Sequence, residues 1–422
     1  MDLIAELEWR GLLYDASEGA REALAAGPTT GYIGFDPTAA SLHVGSLLPI
    51  LQLARLQRAG HLPIALVGGG TGLIGDPSGK TQERMLLSIE QVDANLAGIR
   101  AQLERFLDFD APRNAARIVN NADWLRPLEL IAFLRDVGKH FTVNYMIAKE
   151  SVKRRLEGDD GISFTEFSYM LLMAYDYVVL YDRFNCTLQM GGSDQWGNIT
   201  AGMDLIRRLR SGKAQGIVSP LVTTSAGTKF GKSEAGTVWL DPNLTSPFRF
   251  YQFWLNVDDR DVIKYLKFFT FKTRDEIDEL ARAAAEQPER REAQRSLART
   301  VTAMVHGEDQ VARAERAAAL LFGEDLASAA LEDVLMVFDD APSSDVVMPP
   351  DGLTVVDLLT ATKLAASRSE AVRLVKGNGI YVNNVRSSDE RARLTAAQAI
   401  GGQVFVLRKG RRDQHLVRIA IT

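Results

Sequence analysis

The chain has 422 residues, is 46% hydrophobic and 24% charged, and carries a net charge of −5, a length and balance that suit two or three globular domains with proper cores. Its single cysteine, Cys186, excludes an internal disulfide and a multi-thiolate metal site, which fits a reducing compartment. No apolar run approaches the ~20 residues of a helical membrane span, and the acidic, amphipathic start Met1-Asp2-Leu3-Ile4-Ala5-Glu6 resembles neither a secretory nor a transit signal, so a cytoplasmic location is expected.

Gly31-Tyr32-Ile33-Gly34-Phe35-Asp36 predicts a strand, and residues 43–58 follow it with apolar side chains at Leu47, Leu48, Leu51 and Leu56, the spacing of a helix. His61-Leu62-Pro63-Ile64-Ala65-Leu66-Val67 reads as a buried strand running out into Gly68-Gly69-Gly70-Thr71-Gly72. Strand, helix and strand with glycine-rich exits open a parallel, doubly wound α/β sheet. Residues 82–108 carry a long amphipathic helical pattern that interrupts this alternation, and residues 164–177 carry another. Thr187-Leu188-Gln189-Met190 is a short strand that leads into Gly191-Gly192-Ser193-Asp194-Gln195-Trp196-Gly197-Asn198. Residues 258–339 turn to alanine, arginine and glutamate with helical periodicity, and residues 341–352, with Pro342, Pro349 and Pro350, read as a linker. Beyond it, Ser367-Arg368-Ser369-Glu370 is a capping-box signature for a helix that Gly377 closes. Ile380-Tyr381-Val382, Val404-Phe405-Val406-Leu407 and Leu416-Val417-Arg418-Ile419 predict short strands joined by tight turns, one of them at Asn383-Asn384.

Two distant segments carry the chemistry. Pro37-Thr38-Ala39-Ala40-Ser41-Leu42-His43-Val44-Gly45-Ser46 puts a hydroxyl, an imidazole and a glycine where a strand gives way to a helix, where unpaired backbone N–H groups attract phosphate. Lys229-Phe230-Gly231-Lys232-Ser233 puts two ammonium groups three residues apart on a glycine-loosened loop, the makings of a polyphosphate clamp. Residues 363–422 hold 12 Lys and Arg against 4 Asp and Glu, a local +8 that leaves −13 on the rest, so the tail is a candidate polyanion handle on an acidic body.

The two segments resemble the HIGH and KMSKS signatures of class I aminoacyl-tRNA synthetases. The blocks Tyr32-Ile33-Gly34-Phe35-Asp36-Pro37-Thr38, Gly72-Leu73-Ile74-Gly75-Asp76-Pro77-Ser78-Gly79, Phe164-Thr165-Glu166-Phe167-Ser168-Tyr169-Met170 and Gly191 to Asn198 are similar to those of bacterial tyrosyl-tRNA synthetases. The tail is similar to their S4-like RNA-binding domain. The resemblance implies a Rossmann-type parallel-sheet catalytic domain with a helical insertion over 1–240, an α-helical domain over 241–340, the linker over 341–352 and a small α+β S4-like domain over 353–422.

It also implies ligation of tyrosine to tRNA with ATP, through an adenylate. The tyrosine carboxylate attacks the α-phosphate, so no enzyme nucleophile is needed and catalysis rests on alignment and charge stabilisation. By resemblance, Thr38, His43, Lys229, Lys232 and Ser233 serve the departing pyrophosphate, and Asp36, Gly45, Ser46, Gly192, Asp194 and Lys232 line the ATP site. Tyr32 and Asp176 recognise the phenol, Asp76 and Tyr169 hold the ammonium, and Gln195 holds the reacting carboxylate. Arg368, Arg373, Lys376, Arg408, Lys409, Arg411 and Arg412 are the candidate tRNA contacts. Magnesium is expected with ATP, no permanently bound metal is expected, and a homodimer with residues 126–164 in its interface is implied.

Two positions depart from the pattern. Met173 stands where a glutamine helps to hold the ammonium, and its thioether is a weak acceptor. Ser46 stands where HIGH has its last histidine. The rival readings are a tryptophan-specific relative, against which Tyr32, Asp176 and the tail argue, and an inactive RNA-binding paralogue, which would not need His43, Lys229 and Lys232.

Overall fold

The computed structural model describes residues 2–78, 86–157, 161–225, 227, 230–233, 236–321, 326, 329–338, 341–410 and 413–421. The chain divides into two compact units, Met1–Thr245 with Phe253–Val301, and Ser246–Gln252 with Thr302–Thr422.

The first unit is built on six strands, β1 (Asp15–Ala16), β2 (Thr30–Phe35), β3 (Leu62–Val67), β4 (Arg117–Asn120), β5 (Cys186–Gly192) and β6 (Gln215–Ser219), in the order β1-β6-β5-β2-β3-β4. All neighbouring pairs are parallel except β1 with β6. Parallel strands are covered on both faces, which is why β3 reads as an unbroken apolar run and five of its six residues are buried. Strand β2 has β3 on one side and β5 on the other, so the order reverses there and a crevice opens at the C-terminal ends of β2 and β5.

The helix Leu47–Arg58 packs against this sheet with nine of its residues buried. The insertion expected over 82–108 contains a helix at Ile89–Leu103, opened by a capping box in which Ser88 and Gln91 satisfy each other's backbone N–H. The helix expected at 164–177 runs on to Phe184 and stops at Asn185 in the left-handed conformation. Two buried arginines, Arg10 and Arg55, converge on the C-terminal end of the helix Asp259–Phe269: Arg10 donates to the carbonyls of Lys267, Thr270 and Lys272, and Arg55 to those of Phe268 and Thr270. Burial, with Arg10 beside it, lowers the Arg55 guanidinium to about 9.

Residues 258–339 are helical as expected, with helices at Asp259–Phe269, Arg274–Glu286, Glu292–His306, Glu308–Leu321 and Leu331–Val337. The reading of 341–352 as a linker is corrected. Ser343–Met348 is a strand (β9) paired in parallel with β15 (Asp413–Ile421), a partner about seventy residues on, which no local pattern announces. Short strands β7 (Lys232–Ser233) with β8 (Gly236–Thr237), and β10 (Leu353–Thr354) with β13 (Arg393–Leu394), form small antiparallel pairs. With β11 (Ile380–Val382), β12 (Val385–Ser387) and β14 (Val404–Lys409), the second unit's main sheet has the order β12-β11-β14-β15-β9.

Asn383 and Asn384, with φ of 48° and 64°, make the two-residue β11–β12 turn, the conformation that asparagine tolerates best after glycine. One face of the sheet packs Phe405, Leu407 and Val417 against the helices Val355–Ala361 and Arg368–Lys376. The other packs Val404, Val406 and Leu416 against Leu320, Val334 and Phe338. The capping box expected at Ser367 is half formed: Ser367 accepts from the Glu370 N–H, while the Glu370 carboxylate takes the N–H of Ala366.

Candidate active site

The crevice gathers side chains from β2, β5, the helix Phe164–Phe184 and the segments around residues 71–78, 121–124 and 193–198. Tyr32, on β2, is fully buried, its ring edge-on to Tyr177 at 5.3 Å, and among the described residues its hydroxyl has no hydrogen-bond partner. Burial and the nearby Asp176 hold that phenol well above its ordinary pKa. Beside it in sheet register, Gln189 of β5 is also buried, with neither amide atom partnered among the described residues. An unpartnered buried polar atom is costly, so these two mark a place shaped for a polar group of a ligand in otherwise apolar surroundings.

Asp176, from the helix Phe164–Phe184, is 1% exposed. Its two oxygens accept from Asn121 Nδ2 at 2.9 Å and Trp124 Nε1 at 2.7 Å. Burial pushes the carboxyl up to about 7, against the downward pull of those two donors. Asn121 also donates to Thr71 Oγ1, which donates to Asp36 Oδ1, and the hydroxyl of Tyr169 donates to Asp36 Oδ2 at 3.0 Å. One polar network therefore runs from Trp124 through Asp176, Asn121, Thr71 and Asp36 to Tyr169. Burial and the carboxylates of Asp36 and Asp76 keep the Tyr169 phenol protonated, well above its ordinary pKa. Asp76 accepts from the Ser78 N–H and from Gln195 Nε2, both at 2.8 Å, and Gln195 Oε1 accepts from Asn198 at 3.0 Å.

At the β2 exit Thr38 is exposed, and the next helix is entered through a short turn, Val44–Ser46. His43 caps that turn, its Nδ1 accepting from the Gly45 N–H at 3.0 Å. An acceptor Nδ1 in a neutral ring leaves the proton on Nε2, so the second ring nitrogen is the donor. Gly45 and Ser46 are half-buried in the same turn, and the Ser46 N–H is used by the His43 carbonyl.

The two signature segments are direct neighbours. Val44 N–H bonds the Val238 carbonyl at 3.0 Å, Leu240 N–H bonds the Leu42 carbonyl at 2.9 Å, and His43 bridges to Trp239 with the rings 6.2 Å apart. Gly231 sits at φ +88°, where a side chain would be strained and would press on Val44. The root of the second segment is fixed: Phe230 packs on Phe253, Trp254, Tyr265 and Phe269, and Asp261 accepts the Ser225 N–H at 2.8 Å. Lys232 and Ser233 form β7 through their backbones, and Lys229 lies outside the described residues.

Gly192, at the end of β5, lies against Asp194 and Leu221, and Met173 is half-buried on the Tyr169–Asp176 helix. The structure thus brings together Tyr32, Asp36, Asp76, Tyr169, Asp176 and Gln195, with Thr38 and His43 at the adjoining strand exit. Asn121, Trp124 and Thr71 were not found from the sequence. The signal for Asn121 and Trp124 is weak, an Asn-Asn pair at the end of a short strand, and their partner Asp176 lies more than fifty residues on. Among the described residues no group of three or more His, Cys, Asp or Glu could hold a metal ion, and no helix is long and apolar enough to cross a membrane.

In the second unit the candidate cations are differently employed. Arg368 pairs with Asp357 at 2.5 Å, Lys376 with Glu390 at 2.9 Å and Lys409 with Glu370 at 3.2 Å. Arg408 stacks on Tyr381 at 4.0 Å, and Arg386 lies over the same ring at 5.5 Å and donates to its hydroxyl. Register places Arg386, Tyr381 and Arg408 in one row across three strands. Arg373 is on the helix Arg368–Lys376, and Arg411 and Arg412 lie outside the described residues.

Residues 25–323 match the family described as tRNA synthetases class I (W and Y), and residues 333–417 match the tyrosine--tRNA ligase SYY-like C-terminal domain. The chain is 58% identical to a tyrosine--tRNA ligase of Roseiflexus castenholzii, covering 99% of both chains, and 52% identical to one of Bacillus caldotenax over the whole of both. A C-terminally truncated mitochondrial tyrosyl-tRNA synthetase of Aspergillus nidulans superposes with a TM-score of 0.68 at 32% identity, covering 76% of this chain and 94% of that one. The doubly wound sheet, the paired signature segments and this full-length similarity agree, and the chain belongs to the tyrosine--tRNA ligase family of class I tRNA synthetases.

Proposed function

We propose that this chain activates L-tyrosine with ATP and transfers it to tRNA(Tyr), releasing pyrophosphate and then AMP. The observation that carries this reading is the phenol end of the crevice, where the unpartnered Tyr32 hydroxyl and the network-held Asp176 carboxylate meet in an apolar wall. Tyrosine's O–H donates to Asp176 and its oxygen accepts from Tyr32. Phenylalanine leaves both groups unsatisfied, which the general case of this enzyme class puts at about 10⁵ in discrimination without editing. Tryptophan, with a donor and no acceptor there, fits less well.

At the other end Asp76 and the free lone pair of the Tyr169 oxygen receive the ammonium. The tyrosine carboxylate, positioned by Gln195, attacks the α-phosphate, and Gly192 and Asp194 take the ribose. Thr38, the Nε2–H of His43, and the ammonium groups of Lys229 and Lys232 with Ser233 take the charge that builds on the departing pyrophosphate. Asp36 acts from the tyrosine side of the ATP site, through its bonds to Tyr169 and Thr71. Magnesium enters with ATP as part of the substrate.

The S4-like domain supplies the tRNA surface, with the Arg386–Tyr381–Arg408 row, two guanidinium groups on one ring, as part of it. In this reading the last domain takes in the strand at 343–348 and the helices from Thr302 on, and a cytoplasmic location is expected. A homodimer is supported by the large apolar side chains left exposed within 126–164, Leu130 at 67%, Ile131 at 75% and Phe164 at 77%. Charging of a tRNA(Tyr) transcript with labelled tyrosine tests the function: tyrosine-specific, ATP-dependent product supports it, and activation without transfer rejects its second half.

A further inference from the structure

One stripe of the insertion helix Ile89–Leu103 is devoted to the phosphate-binding segment. Asn95, Gly98 and Gln102 stand at i, i+3 and i+7, which puts them on one face. Each meets the chain between the β2 strand and His43. Asn95 Nδ2 donates to the Pro37 carbonyl at 2.9 Å. Gly98 approaches so closely that a β-carbon there would lie 2.1 Å from the Ala40 carbonyl oxygen. The Gln102 amide uses both ends: Oε1 accepts from the Leu42 N–H and Nε2 donates to Ser41 Oγ, both at 2.8 Å. Ser41 is buried, donates to the Leu42 carbonyl, and accepts at 3.2 Å from the N–H of Asp241, just past the KFGKS hairpin.

A mid-helix glycine weakens a helix relative to alanine, so the one at position 98 has a local cost that the close approach explains. The side-chain bonds of Asn95 and Gln102 go to Pro37, Ser41 and Leu42, the stretch that carries Thr38 and leads into His43.

We infer that Asn95, Gly98 and Gln102 are positioning residues for adenylate formation, fixing Thr38 and His43 on the phosphates, with the Gln102–Ser41–Asp241 relay holding the first signature segment in register with the second. This deepens the proposed reaction and rests on it. The hydrogen bonds of Asn95 and Gln102 and the close approach of Gly98 go to Pro37, Ala40, Ser41 and Leu42 and not to Tyr32 or Asp176, so these three residues act on the ATP half of the site.

Gly98→Ala must push the helix and the 37–42 segment apart by on the order of 1 Å to restore an ordinary contact, a misplacement that can cost about 100-fold in rate. The test uses the full chain, with tyrosine affinity measured by equilibrium dialysis and ATP–pyrophosphate exchange measured separately. Gly98→Ala and Gln102→Ala should lower the exchange kcat about 10- to 100-fold, with the tyrosine Kd unchanged. Gln102→Glu keeps the acceptor for Leu42 and should recover part of the loss. In a His43→Asn background Gly98→Ala should cost much less, because it acts through that imidazole.

Wild-type protein that exchanges nothing would remove the proposed function itself. Active wild type with native rates in both variants would overturn the inference alone. So would tyrosine affinity falling in step with kcat, which marks a merely structural helix, or full additivity with His43→Asn. Should Gly98→Ala fail to fold, Gln102→Ala and Asn95→Ala carry the same comparison.

Discussion

Trp124→Phe should move the pH dependence of tyrosine binding without touching the substrate. Asp176 is pushed up to about 7 by burial, so it is largely protonated at pH 6 and ionised at pH 8. Only the ionised form is a full acceptor for the phenol O–H. Tyrosine affinity should therefore fall about tenfold for each pH unit below 7 and level off above it. Trp124 donates to this carboxylate at 2.7 Å, a bond to the charged form. Such bonds are worth about 1.5–3 kcal/mol, which at about 1.4 kcal/mol per unit raises the carboxyl by roughly one to two units when the donor is lost. At pH 7.5 the variant should bind tyrosine roughly 3- to 25-fold more weakly, and at higher pH it should recover.

The assay is equilibrium dialysis of labelled tyrosine from pH 5.5 to 8.5 without ATP, with Asp176→Asn as the variant whose profile is flat. The fold carries the matching signature. A carboxyl raised above its unfolded value of about 4 contributes stability at low pH that is lost as pH rises to about 7. Tyrosine pairs the charge, so it should raise the melting temperature more at pH 8 than at pH 6. A wild-type Kd independent of pH, or a Trp124→Phe profile differing only by a constant offset, would refute the reasoning.

Met173→Gln restores a strong acceptor beside Asp76 and Tyr169 and should lower the tyrosine KM with kcat little changed; an unchanged KM shows that the ammonium is fully held without it. Arg386→Gln and Arg408→Gln should each weaken tRNA binding and reduce the slope of log affinity against log salt by about 1, with pyrophosphate exchange intact. Tyr381→Phe, which keeps the ring under Arg408, should bind tRNA nearly as well as wild type. Ile131→Asp or Phe164→Asp should shift the protein toward monomer in sedimentation at micromolar concentration, and sedimentation like wild type would place the contact elsewhere.

What the sequence showed and what it hid follow from the range of the interactions. Strands β2, β3 and β5 and their glycine-rich exits are local patterns, and each lies within a residue or two of where the apolar runs put it. The insertion helix begins at Ile89 because Ser88 and Gln91 cap it there, a choice that amphipathic spacing alone does not make. Ser343–Met348 hid between prolines, its pairing with Asp413–Ile421 being wholly non-local. Of the residues proposed to face the substrate, Tyr32, Asp76, Tyr169 and Gln195 could be picked out because they fall in contiguous blocks. Asn121 and Trp124, which set the state of Asp176, and Gln102, which holds Leu42 and Ser41, reach partners more than fifty residues away in the chain, and nothing in their neighbours' identities reports it. The tail's basic character was evident, while the sorting of its cations into ion-paired Arg368, Lys376 and Lys409 and ring-stacked Arg408 needed the fold.

The most direct measurement is exchange of labelled pyrophosphate into ATP, with tyrosine, tryptophan and phenylalanine in parallel and no tRNA present. Exchange with tyrosine alone, abolished or sharply reduced by Asp176→Ala, is the expected result. Exchange driven by tryptophan, or none with any amino acid from folded protein, would contradict the assignment of Tyr32 and Asp176 as the phenol site.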